Sequence, residues 1–108
     1  MAVIVVMRKL PAAAMAIFPF ILVKHASYKS NIMLMNHERI HFKQQLEMLI
    51  LPFFVLYLFN YLFNIFKYRS HYQAYLNIVF EREAYAHEND LNYLRKRKLF
   101  AWINWLKV

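Results

Sequence analysis

The side chains with the clearest chemistry lie in Asn36-His37-Glu38-Arg39-Ile40-His41. On a helix, two histidines four residues apart stand one turn apart and point the same way. Two imidazoles on one face can grip a single Zn²⁺, and Glu38, beside the first of them, can act as general base on a zinc-bound water. The chain has five His and six acidic residues, so an H-E-x-x-H match arises by chance about once in a hundred. The motif therefore carries weight, but the rest of the chain has to complete the site.

A catalytic zinc takes three protein ligands and leaves one position open. His41 is followed by Phe42-Lys43-Gln44-Gln45-Leu46-Glu47, which holds no third histidine. Glu47 lies six residues beyond His41 and points away from the pair on a straight helix. The other candidates are Glu81, Glu83 and His87. Helical spacing puts Glu81 and Glu88 on roughly one face, with Glu83 and His87 on another. Spacing alone leaves the choice open, and these carboxylates can equally pair with Arg82 or with cations of other helices. Gln44 or Gln45 can orient a ligand imidazole or simply face water. His71, Tyr75 and Tyr85 are the groups available to stabilise an oxyanion.

The elements that position these groups are read as one domain, residues 1–108, mainly α with a small β component. A basic pair, Arg8-Lys9, precedes an apolar run as in a signal peptide, but Pro11 and Pro19 interrupt it. Residues 16–24 (AIFPFILVK) read as an edge strand with Pro19 at its margin, able to pair with a substrate backbone. His25–Asn31 reads as a loop, with Ser30 or Asn31 capping a helix over 32–51 that carries the two histidines. Pro52 then kinks that helix or starts a new one over 52–67. A third-ligand helix is expected over 71–94, with Ser70 as its cap. A terminal helix over 99–107 follows the basic run Arg95-Lys96-Arg97-Lys98 and carries Trp102 and Trp105.

Composition limits the function further. The chain has no Cys, so thiolate metal sites and thiol nucleophiles are excluded. It has no Gly, which excludes glycine-rich phosphate loops and leaves positive-φ turns to Asn or Asp. Apolar residues make up 61%, more than a soluble domain of this size can bury. Met48–Phe66 carries no charge and is just long enough to cross a bilayer core. The formal charge is +8. The cations are scattered, except for the run abutting the Trp-bearing terminus. That layout fits an anionic membrane surface better than a nucleic-acid groove, and no nucleic-acid partner is expected.

HERIH together with Glu81-Arg82-Glu83-Ala84 resembles the gluzincin metallopeptidases, among them the minigluzincins and the integral-membrane prenyl-protein proteases. These carry HExxH on one helix and a Glu-x-Glu-Ala-Asp-like stretch on another. The resemblance implies an edge strand before the zinc helix, His37, His41 and Glu81 as zinc ligands, and Glu38 as the catalytic base. The alternative third ligand is Glu83. The chain departs from the pattern at Tyr85, where the family usually has the Asp that supports a ligand histidine. Asn36–Glu47 (NHERIHFKQQLE) is also similar to short bacterial proteins of the same layout, which implies a bacterial cell-envelope location. The expectation is a small membrane-associated zinc metallopeptidase that hydrolyses a peptide or protein substrate. The alternative is a catalytically inactive HExxH relative, a structural or accessory subunit of a larger membrane protein complex. A membrane-surface helical binder with a fortuitous HExxH stands third.

Overall fold

Short β-branched runs open the chain, and they form strands because branched side chains pack well on a pleated surface. The structure, a computed structural model, describes residues 2–106. Val3–Val6 (β1), Ala14–Ile17 (β2) and Phe20–Val23 (β3) make one sheet in the order β1-β3-β2. β1 runs parallel to β3, and β2 runs antiparallel to it, with Ala14 opposite Val23 and Ile17 opposite Phe20. The single strand expected over 16–24 is thus a hairpin. Pro19 sits at its turn, where a residue without an N–H interrupts no ladder. β1 lies outside the expected strand altogether. The free edge beside the helices belongs to β2. Lys24 N–H donates to the Ala13 carbonyl, so by antiparallel alternation the backbone groups of Ala14 and Ala16 point outward from that edge.

A 3-10 turn, Ala26–Ser30, leads into α1, Ile32–Glu47. Asn31 caps α1, its side-chain oxygen accepting from Leu34 N–H at 3.0 Å. α1 stops four residues before the expected 51, because Leu49 takes φ 59. α2 then runs Ile50–Tyr68, with Pro52 in its first turn, where a missing N–H leaves no helical bond unmade. With no glycine in the chain, positive φ falls on Leu49, Arg69 and Phe100, at element junctions, and not on Asn or Asp.

The helix expected over 71–94 is three pieces: α3, His71–Leu76; α4, Val79–His87; and α5, Tyr93–Lys96. Ser70 caps α3 through Gln73 N–H. Ile78 is extended and turns the chain so that Val79 N–H, at the start of α4, donates to Asn60 Oδ1 of α2 at 2.8 Å. A neighbouring helix thus satisfies an otherwise orphaned donor. The terminal helix expected over 99–107 is a 3-10 turn, Ala101–Trp105. Residue 107 lies outside the described residues.

α1 runs through the middle of the fold. Met35 and Phe42 pack against Ala16, Ile21 and Val23 of the sheet, and Ile40 packs against Ala84 and Tyr93. This explains why α1 has no simple apolar stripe: polar residues are buried on it too, among them Asn36, His37, Glu38, His41, Gln44 and Gln45. α2 is the opposite case. Only Phe53 and Asn64 of it are buried, while Leu51, Val55, Leu58, Phe59, Leu62, Phe63 and Phe66 are exposed on one face. α2 is long and apolar enough to cross a membrane.

Candidate metal centre

The four-residue spacing on α1 brings His37 and His41 together as expected, and α4 brings Glu81 to meet them. His37 Nε2 and His41 Nε2 are 3.2 Å apart, and each is 3.1 Å from Glu81 Oε1. All three residues are buried. A tetrahedral ion with bonds of about 2.0–2.1 Å separates its ligand atoms by about 3.3–3.4 Å. The triangle is therefore close to the size of one face of such a shell, and His37, His41 and Glu81 can hold a metal ion.

The remaining atoms of these groups are all held. His37 Nδ1 lies 2.8 Å from Glu88 Oε1, and His41 Nδ1 lies 2.8 Å from Gln44 Oε1. Both neighbours are acceptors, so rings that keep Nε2 free for a cation carry the proton on Nδ1. Tyr57 donates from α2 to Glu81 Oε2 at 2.6 Å, leaving Oε1 for the shared position. Three acceptors converging in a buried site need a positive charge between them. The same demand shows in the metal-free protonation. Burial alone would lower the His41 pKa, but the Glu81 carboxylate more than reverses this and raises it to about 9. Burial would raise the Glu81 carboxyl, but His41 and His37 hold it well below the usual carboxylate range.

Glu38 is buried beside this triangle, and its carboxylate accepts no hydrogen bond from the described residues. Burial pushes its pKa up, against the pull of His41 and His37. It lines a cavity of about 320 Å³ together with the three candidate ligands, Ala14 and Ala16 of β2, Phe53 and Phe54 of α2, and Tyr75. The β2 edge therefore runs past the site. Gln45 bridges α1 to it, donating to the Ala16 carbonyl at 2.7 Å and accepting from Phe18 N–H at 2.8 Å.

The other candidates are engaged elsewhere. Glu83, the alternative third ligand, is fully buried against Arg97, Tyr93 and Gln44. Glu47 pairs with Arg97 at 2.6 and 3.1 Å. His87 stacks on Tyr93 at 3.7 Å. His71 Nδ1 pairs with the Tyr61 hydroxyl at 2.7 Å. Gln44 and Gln45 are both buried rather than solvated, and Gln44 is the one that meets a ligand.

Sequence reasoning missed three supporting residues. Glu88 supplies His37 with a carboxylate partner; its place on the Glu81 face was the available signal. The Tyr85 ring instead packs edge-on against His37, centroids 4.5 Å apart, and its hydroxyl meets that of Tyr75 at 2.7 Å. Asn36 donates to the carbonyls of His87, Glu88 and Asp90 at 2.9–3.3 Å, fixing the end of α4 that presents Glu88. Tyr57, in the uncharged helix, gave no signal beyond its hydroxyl.

No protein-family model, curated protein or solved structure matches this chain. What the centre can do rests on its own geometry and chemistry.

Proposed function

We propose that this chain is a small membrane-associated zinc metallopeptidase of the gluzincin kind. One observation carries the reading: two imidazole nitrogens and a carboxylate oxygen converge within 3.2 Å, each of the three groups is held from behind, and Glu38 stands beside them with an unengaged carboxylate. Zinc held there supplies Lewis-acid polarisation of the scissile carbonyl and of water. The outward backbone groups of Ala14 and the N–H of Ala16 pair with an extended substrate backbone. Glu38 takes a proton from the attacking water as its oxygen bonds to the carbonyl carbon, then returns it to the leaving amine as the C–N bond breaks. Tyr75, on the wall of the same cavity, donates to the oxyanion.

Elemental analysis of the purified protein tests this first. About one zinc per chain is expected, lost in both His37→Ala and Glu81→Ala. A chain that takes up no zinc even after the metal is added back is not this enzyme.

The membrane part of the proposal rests on α2 and on charge. The carboxylates of Glu38, Glu81, Glu83 and Glu47 are inside, so surface charge is almost wholly cationic. An exposed apolar helix face with Lys67 and Arg69 exposed at its end suits an anionic bilayer. Asn60, Asn64, Tyr57 and Tyr61 on the other side of α2 bond to the rest of the fold, so lipid meets one face only. Phe59→Asp or Phe63→Asp should weaken binding to phosphatidylglycerol vesicles about 10- to 100-fold, since burying one such side chain is worth about 1.5–3 kcal/mol. Unchanged co-sedimentation would rule out lipid on this face.

The same apolar face supports a second reading, a catalytically silent accessory subunit of a membrane complex. That reading predicts stable co-purification with a protein partner and no zinc-dependent hydrolysis.

A further inference from the structure

Behind His41 runs a chain of hydrogen bonds in which no member can reverse its role. Arg97 only donates, and its guanidinium contacts Glu83 and Glu47 with its side chain 2% exposed. Glu83 as a carboxylate only accepts, taking bonds from Arg97, from the Tyr93 hydroxyl and from Gln44 Nε2 at 2.9 Å. The second hydrogen of Gln44 Nε2 goes to the Phe80 carbonyl at 3.1 Å. With both amide hydrogens committed to acceptors, Gln44 Oε1 has to face His41. A His41 ring that bonds to it does so with Nδ1–H, at 2.8 Å. Its Nε2 lone pair is then left for the cation.

We propose that Gln44 is a positioning residue of the metal centre, oriented by the Glu83–Arg97 pair so that it fixes the tautomer and aim of the second histidine ligand. The proposal rests on the metal reading given above and adds a source of affinity to it. The two histidines are held by different means. His37 leans on Glu88, a charged side chain 18% exposed, whereas His41 leans on a neutral amide that is fully buried. An amide orients by geometry alone, so its effect depends on the donors and acceptors behind it remaining in place. Arg97 and Phe100 N–H both bond to Glu47, so the segment beyond α5 is tied to the same chain.

Gln44→Leu and Gln44→Glu separate a positioning role from a structural one. Glu at 44 keeps an oxygen for His41 Nδ1–H but sets a carboxylate against Glu83 and leaves the Phe80 carbonyl without its donor. Leu keeps the bulk, leaves the Phe80 carbonyl and Glu83 without the same donor but adds no charge beside Glu83, and removes the partner of His41. Chelator competition with Zn²⁺ and Co²⁺ should show Gln44→Leu weakened about 10- to 100-fold and Gln44→Glu within about threefold of the unmodified protein, which is small beside that range. Unfolding of the metal-free proteins should show the reverse order, with Gln44→Glu the less stable variant. Affinities that follow the stability order, or Gln44→Leu binding as tightly as the unmodified protein, would overturn the proposal. The ¹⁵N shifts of the His41 ring, read in metal-free protein at a pH where the ring is neutral, test the tautomer separately. The unmodified protein should hold a larger share of the proton on Nδ1 than Gln44→Leu, in which the acceptor at Nδ1 is gone and Glu81 still faces Nε2; identical shifts would defeat the proposal. If the unmodified protein takes up neither metal, the peptidase reading falls, and the ring shifts still show whether Gln44 sets the His41 tautomer.

Discussion

Glu38→Gln is expected to keep the metal and the fold while peptide hydrolysis drops by about two to four orders of magnitude, the span of general acid–base catalysis. The amide is nearly the same size as the carboxylate and cannot take a proton from water. Glu38 makes no hydrogen bond within the described residues, so the substitution leaves no protein donor without its partner. It also removes a buried carboxyl whose charged form is penalised by its surroundings, so the variant should be at least as stable as the unmodified chain. The measurements are zinc content, unfolding midpoint and turnover on one preparation. Full turnover in Glu38→Gln would show that another group is the base. Loss of metal together with turnover would mean that Glu38 holds the centre together and does not act on the proton.

Arg97→Met should be strongly destabilising, costing about 3–5 kcal/mol of the roughly 5–15 kcal/mol a domain has. Arg97 is the cation between Glu83 and Glu47, and all three side chains are at most 4% exposed. Its removal leaves two buried carboxylates facing one another without a countercharge. Arg97→Lys keeps the charge but not the fork that meets both partners, and should fall between. Chemical unfolding of the three proteins checks the order, and an Arg97→Met midpoint equal to the unmodified one would refute it. The pH dependence has a definite sign. Burial would raise the Glu83 carboxyl, but hydrogen bonds from Arg97, Tyr93 and Gln44 hold it below its ordinary value. The stability this contributes is fully present above the ordinary carboxylate range and is lost as pH falls through the lowered native value.

The contrast between the histidines and the third ligand marks how far the sequence could be read. His37, Glu38 and His41 are legible because helical periodicity alone puts four-apart side chains on one face. Glu81 lies forty residues on from His41, and spacing left it level with Glu83 and His87. Only the resemblance to gluzincins favoured it. The docking of α4 on α1 separates them: α4 turns Glu81 toward the histidines and Glu83 toward Arg97. The long helix expected over 71–94 divides for a related reason. Its periodicity continues through Asn77 and Ile78, but a break there lets Asn60 of α2 take the Val79 N–H, and no local signal records a partner nineteen residues away.

By itself the sequence determined the local features: a helix over the HExxH residues capped at Ser30 or Asn31, an uncharged segment of bilayer length, and the exclusion of thiolate and glycine-loop chemistry. These follow from periodicity, capping and composition, which act within a few residues. Tertiary structure alone decided which carboxylate faces the histidines, that Glu88 supports the first of them and Gln44 the second, that β2 offers the free edge, and that α2 keeps one apolar face uncovered. Each depends on groups far apart in the chain meeting in a buried place, where a polar atom must find a partner and only the packed fold sets which partner is within reach.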